Sequence, residues 1–260
     1  MTRIRKGIVL EADSRIGLFQ ANTVLPSQLS LGKNKALIRH IVEEAIDSGI
    51  EDITVITSSK DINRSGRTFN SFNGAVIRCV EYGDYRNLND AVCFARQFIL
   101  DEPFALLTGD CIFHSEVKPC LQQLIEQYER LDASVAAVQY VPYQEVSYYS
   151  IVDSFELEER LFSICDLIAY PNLENLPSNL ALTGRYIVKP EIFDILKDQS
   201  SGGDWNVFFI DALSELNRRQ SLYAYNFETA RYSHTTNRIS KRDDSLEEKG
   251  GTPLICQGIL

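Results

Sequence analysis

The chain has 260 residues, 44% of them hydrophobic, with 26 Lys and Arg against 36 Asp and Glu, a net charge of −10. That length and apolar content suit one large folded unit and argue against a disordered chain. The acidic balance is the wrong sign for a nucleic-acid binder, which must displace counterions with Lys and Arg, and no apolar run approaches the ~20 residues of a membrane helix. The basic start Met1-Thr2-Arg3-Ile4-Arg5-Lys6 leads into a short strand-like run, unlike a secretory signal, so the expected location is cytoplasmic.

In chain order, Lys6–Glu11 (KGIVLE) predicts a buried strand, and residues 12–34 a long loop. Lys35–Ser48 carries apolar residues at helical spacing and stops at Gly49, a good helix C-cap. Asp52–Thr57 and Ala75–Val80 predict strands, Leu88–Leu100 an amphipathic helix, and Phe104–Thr108 a strand ending at Gly109-Asp110. Val117–Leu131 predicts a helix and Ala133–Val141 a strand. This alternation is the pattern of a doubly wound parallel sheet. Beyond it, Tyr148–Phe155 and Leu161–Ile168 predict antiparallel strands. Ala181–Val188 predicts a strand, Glu191–Lys197 and Asn206–Arg218 helices, and Ser221–Phe227 a strand. The expected fold is a three-layer, Rossmann-like α/β domain over residues 1–239. Its sheet is mostly parallel with a small antiparallel extension at about 142–180, and residues 240–260 form a tail. That tail runs from Lys241-Arg242-Asp243-Asp244 through Gly250-Gly251 to Leu254-Ile255-Cys256 and Ile259-Leu260, apolar enough to fold back on its own sheet or to dock on a second subunit.

Six cysteines are present without a C-x-x-C pair. Cys111, His114 and Cys120 imitate a metal cluster but lack a second tight ligand pair, so buried thiols are the expectation. His40 sits on a predicted helix surface. Trp205 and Phe208-Phe209 suit core packing, a filled pocket or an interface.

Several stretches together resemble the bacterial UTP–glucose-1-phosphate uridylyltransferase family. They are Lys35-Ala36-Leu37-Ile38 with Ile41-Val42-Glu43-Glu44-Ala45, then Ser48–Ile53 and Asp101-Glu102-Pro103-Phe104-Ala105. The most specific is Pro177-Ser178-Asn179-Leu180-Ala181 with Gly184-Arg185-Tyr186 and Pro190–Phe193. The resemblance spans about residues 6–235. It implies a sugar-nucleotide-forming transferase in which a G-x-G-T-R loop cradles the triphosphate, a lysine of a P-K motif stabilises the transferring phosphoryl group, and two aspartates hold Mg²⁺.

The implied chemistry is poorly matched. Read without gaps, Asp13-Ser14-Arg15-Ile16-Gly17 stands where G-x-G-T-R is expected, and Ser27 follows Pro26 in place of the lysine. A two-residue shift instead puts Arg15 at the loop arginine, which makes Arg15 the candidate catalytic cation. The G-L-G-H-A segment reads Asn87-Leu88-Asn89-Asp90-Ala91, the sugar-contacting E-K-P reads Ala169-Tyr170-Pro171, and the glycine of Y-G-V is Ser150. Ser233 follows Arg231-Tyr232 where the second metal aspartate belongs, with His234 as a possible substitute ligand. Asp110 survives as the candidate Mg²⁺ ligand, or as a turn former. Asn179 and Gly184, with Asn89 and Asp90, are the candidate nucleotide or sugar contacts.

Scaffold positions match while phosphate, metal and sugar positions fail together, which predicts a pseudoenzyme with lost or weak pyrophosphorylase activity. The alternatives are an active nucleotidyltransferase with a rewired site and a module that binds nucleotide or sugar phosphate. Expected ligands are UTP, UDP-glucose or glucose 1-phosphate. Expected partners are a second copy or an active uridylyltransferase.

Overall fold

A computed structural model describes residues 3–10, 33–57, 74–81, 88–109, 111–115, 118–172, 176–198, 205–229 and 231–234. Its strands are β1 (Lys6–Leu10), β2 (Asp52–Thr57), β3 (Val76–Glu81), β4 (Phe104–Thr108), β5 (Cys111–His114), β6 (Ser134–Tyr140), β7 (Ser150–Glu158), β8 (Leu161–Ala169), β9 (Leu180–Val188), β10 (Leu222–Asn226) and β11 (Arg231–His234). Its helices are α1 (Lys33–Asp47), α2 (Leu88–Ile99), α3 (Cys120–Leu131), α4 (Ile192–Asp198) and α5 (Trp205–Arg219), with a 3-10 turn at Tyr143–Tyr148.

The central strands are continuous apolar runs because both their faces are covered. Ile8 and Leu10 of β1, Phe104 and Leu106 of β4, and Ala136 and Val138 of β6 share one core with residues of α2, α4 and α5. The intervening Val9, Ala105, Leu107, Val135 and Ala137 share another with α1 and α3. Period-two alternation therefore feeds two cores, which makes three layers. Phe104 and Phe193 stack across the first core with ring centroids 5.0 Å apart. Phe209 packs edge-on against Tyr186 at 5.5 Å and is buried, so this member of the aromatic pair is core.

Among the described residues nine strands form one mixed sheet in the order β3-β2-β1-β4-β9-β6-β10-β8-β7. β3, β2, β1 and β4 are mutually parallel, as are β6 and β10. β9 runs antiparallel between β4 and β6 and joins the two parallel blocks. The β7–β8 hairpin is the antiparallel extension, hung on β10 through β8. β7 also pairs back with β9 at Ile151–Ala181, so β9, β6, β10, β8 and β7 close into a ring. That closure brings the base of the hairpin to the exit of β6.

Most predicted elements stand within a residue or two of their expected bounds, and Gly49 ends α1 at φ +88°. α3 begins later than expected, at Cys120, because Pro119 precedes it. The strand expected from Tyr148 starts at Ser150, after the 3-10 turn. The β5–β11 ribbon is an addition. The loop expected at 12–34 and the tail at 240–260 lie, but for Lys33 and Asn34, outside the described residues.

Candidate active site crevice

In doubly wound sheets the ligand crevice opens at the carboxyl ends of the strands, where the strand order reverses. Here β1 lies between β2 and β4, so the switch point falls at Leu10 and Thr108, which are register partners. Gly109 follows and is buried. Asp110 comes next, outside the described residues, as do Arg15, Asp13 and Ser27. Asn89 and Asp90 fall in the first turn of α2, and their side chains are likewise outside description.

Behind this edge lies a buried ionic frame. Arg185, on β9, is fully buried. Its Nε and Nη2 donate to Glu44 Oε2 on α1 at 3.1 and 2.9 Å. Its Nη1 donates to the carbonyl of Thr108 at 3.0 Å, and the guanidinium lies 4.9 Å from the ring centroid of Phe113 on β5. Glu44 Oε1 accepts the backbone N–H of Leu121 in the first turn of α3 at 3.2 Å, a helix that begins without a side-chain cap. One ion pair thus ties α1, α3, β4, β5 and β9 together. Buried charge is tolerated here because hydrogen bonds satisfy it from several directions. The neighbouring Cys120 thiol is pushed well up, chiefly by burial and further by Glu44, with Arg185 opposing, which makes it an inert core thiol.

Gly184 explains how Arg185 reaches this position. Thr183, Gly184 and Arg185 stand opposite Ala137 alone, between the pairs Leu182–Val138 and Tyr186–Ala136. Gly184 takes φ +79°, which other residues adopt at a cost, so it forms a bulge that redirects the strand. Its carbonyl accepts the Thr108 hydroxyl at 3.4 Å.

The β5–β11 ribbon rests on this frame. Phe113 meets Phe227 edge-on at 4.8 Å. Gln123 of α3 donates to the Glu228 carbonyl at 2.9 Å and accepts its N–H at 2.8 Å, anchoring the approach to β11. Across the ribbon Ser233 pairs with Ile112 and His234 with Cys111, the residue that follows Asp110. Ser233, where the second metal aspartate is expected, thus stands on β11 against β5. Mg²⁺ is normally held by one or two carboxylates plus phosphates, and of the two aspartates expected the sequence keeps Asp110 alone. Among the described residues no group of three His, Cys, Asp or Glu side chains could hold a metal ion, Cys120 included.

The ring closure assembles the remaining candidates at the exit of β6. Asn179 Nδ2 donates to the Val141 carbonyl at 2.8 Å, and its own carbonyl accepts the Val141 N–H at 3.0 Å. Its amide thus secures the backbone at the rim. Ser178 Oγ donates to the Val152 carbonyl and accepts from Leu180 N–H, which fixes the same segment to the hairpin. Ser150 pairs directly with Ala169, and Tyr170 N–H donates to the Tyr149 carbonyl at 3.2 Å. Tyr170 sits at φ +46°, an uncommon conformation for a residue with a side chain. Where the sugar-contacting Glu and Lys are expected, the rim carries Ala169 and Tyr170. His40 is an exposed helix residue, 3.4 Å from Glu43.

Sequence reasoning missed the Glu44–Arg185 frame as a unit. Its signal was an arginine inside the apolar run LALTGRYIV, which a buried strand tolerates only with a partner.

Comparison with known proteins agrees with this architecture. The nucleotidyl transferase family model matches residues 21–232. The UTP–glucose-1-phosphate uridylyltransferase of Bacillus subtilis (strain 168) is 34% identical over 254 residues, covering 89% of this chain and 87% of the relative. A Staphylococcus saprophyticus uridylyltransferase is 33% identical, covering 95% and 96%. A UDP-glucose pyrophosphorylase solved with UDP-glucose superposes with a TM-score of 0.73 at 28% identity, covering 88% of this chain and 92% of that one. The UTP-bound enzyme of Acinetobacter baumannii, at 21% identity and a TM-score of 0.73 over 89% and 88%, shares the fold. With the three-layer fold, the switch-point crevice and these matches together, the chain belongs to the nucleotidyl transferase family, among the UTP–glucose-1-phosphate uridylyltransferases.

Proposed function

We propose that this chain is a uridylyltransferase-family pseudoenzyme: it keeps the crevice, has lost most or all pyrophosphorylase chemistry, and serves a regulatory or subunit role in cytoplasmic sugar-nucleotide metabolism. The observation that carries the reading is Ser233, paired with Ile112 across the ribbon, at the position where the resemblance implies the second metal aspartate. Ala169 and Tyr170 at the sugar rim, and Asp13 and Ser27 in the loop sequence, point the same way. A cationic or hydrogen-bonding group at the transferring phosphoryl is worth about 10²–10³ in rate, so joint loss of the loop arginine, the lysine and one carboxylate leaves little turnover.

Because related structures hold UDP-glucose or UTP, the ligands to try are UTP, UDP-glucose and glucose 1-phosphate. The residues considered for contact are Asn179, Gly184, Asn89 and Asp90, with Asp110 for Mg²⁺ and Arg15 for the triphosphate. The chain acts as one domain over 1–239, and its tail docks on a second copy or on an active uridylyltransferase. A pyrophosphate-release assay with UTP, glucose 1-phosphate and Mg²⁺ is expected to match a blank, while calorimetric titration detects nucleotide. Turnover that vanishes in Asp110→Ala would overturn the reading. It would favour an active enzyme with a rewired site, the alternative supported by the 34% identity to a named uridylyltransferase. Light scattering of the full chain and of a form ending at Arg238 tests the tail; two monomers, neither co-purifying with a uridylyltransferase, exclude the assembly role.

A further inference from the structure

We propose that the buried Glu44–Arg185 pair is a positioning device: it holds the end of β4 and the β5–β11 ribbon against α1, and so sets the geometry of the crevice. Each partner reaches a different wall. Arg185 holds the Thr108 carbonyl, two residues before Asp110, and lies over Phe113 in the middle of β5. Glu44 lies on α1, and it also receives the first turn of α3. Phe113 carries the contact onward to Phe227, next to the segment that Gln123 clamps before β11. The Gly184 bulge is what places Arg185 on this line.

A pair kept for stability alone has a simpler substitute. Replacing both members of a buried ion pair with apolar side chains of similar volume often leaves stability unchanged or raises it. The two charges together cost desolvation that packed methionines avoid. What methionines cannot supply is direction: the planar guanidinium fork donates to acceptors on α1, β4 and β9. Arg185 and Glu44 are positioning residues in this account, since neither is placed against a ligand. Only the ligand arm of the test rests on the crevice being a nucleotide site.

The full-length chain and the variants E44M/R185M and R185K are compared by thermal melting, amide hydrogen exchange and calorimetric titration with UTP in Mg²⁺. The double variant is expected to melt within a few degrees of the parent. Amides of 111–114 and 231–234 then exchange at least about tenfold faster, while those of β1 and β6 stay protected. UTP affinity falls by at least about tenfold, with R185K intermediate because it keeps the charge but not the fork. Unchanged ribbon exchange in a folded double variant overturns the proposal, and R185K decides by the same measurement if the double variant does not fold. A parent that binds no UTP while ribbon exchange still accelerates overturns the nucleotide reading and leaves the positioning role standing.

Discussion

The same substitution, Gly→Ala, should have unequal effects at two glycines of the central sheet. Gly7 lies in β1 with an ordinary strand conformation, and a Cβ there meets Ile50 Cγ2 at 3.2 Å and Ala105 Cβ at 3.8 Å. The Ile50 contact is tight by a few tenths of an ångström, and the methyl must shift slightly to accept it. Against that, glycine in a strand interior costs about 0.5–1 kcal/mol relative to alanine, and crowding the fully buried Ile50 offsets a gain of that size, so Gly7→Ala should be near neutral. Gly184 takes φ +79°. There an L-residue pays about 1–2 kcal/mol, offset by about 0.4–1 kcal/mol from the stiffer unfolded chain, for a net loss of about 1 kcal/mol. The two variants should differ by about 1 kcal/mol, which for a chain of this size is about 2–4 °C in midpoint. Urea unfolding at constant slope measures the difference without a long extrapolation. Equal midpoints, or Gly184→Ala more stable than Gly7→Ala, would refute the bulge as the reason for glycine at 184.

Phe193→Ala removes the ring stacked on Phe104 and should cost about 3–5 kcal/mol in urea unfolding, a large share of a typical 5–15 kcal/mol. Burial, then Asp132 and Glu191, push the Tyr128 hydroxyl up to about 12. The unfolded chain therefore releases that proton first, near pH 10, and stability should fall between pH 10 and 12. Tyr128→Phe should flatten that fall in thermal melts; an unchanged profile assigns the loss elsewhere. Arg15→Ala should leave UTP affinity within about threefold, and a loss beyond tenfold would place Arg15 at the loop arginine after all.

The parallel half of the fold was legible because β1, β2 and β4 bury both faces, so each appears as a short, mostly apolar run. The place of β9 was not legible. LALTGRYIV is plainly a strand, but nothing local says that it inserts between β4 and β6, because a long-range pairing leaves no periodic trace. The β5–β11 ribbon escaped notice because each strand has four residues, too few for alternation to declare itself. Of the candidate site residues, Asn179 was singled out for a ligand, yet its amide is engaged with the Val141 carbonyl. The sequence did not reveal this backbone contact, since a polar residue that secures a rim and one that contacts a ligand look the same in sequence.

The late arrival of β9 also governs how the chain can be made. The block β3-β2-β1-β4 is complete once Thr108 has been synthesised, and β6 by Tyr140, yet the strand that joins them begins at Leu180. About 70 residues separate β4 from β9, on the order of 4–14 s of synthesis at 5–20 residues per second. Through that interval one edge of β4 waits without its neighbour, the kind of open edge that recruits foreign strands. A chain halted in this window carries the β3-β2-β1-β4 block with that edge uncovered and β6 without either neighbour. The vulnerable period in this protein's life is therefore set by the position of one strand in the message, and slow codons between those for Thr108 and Leu180 would lengthen it.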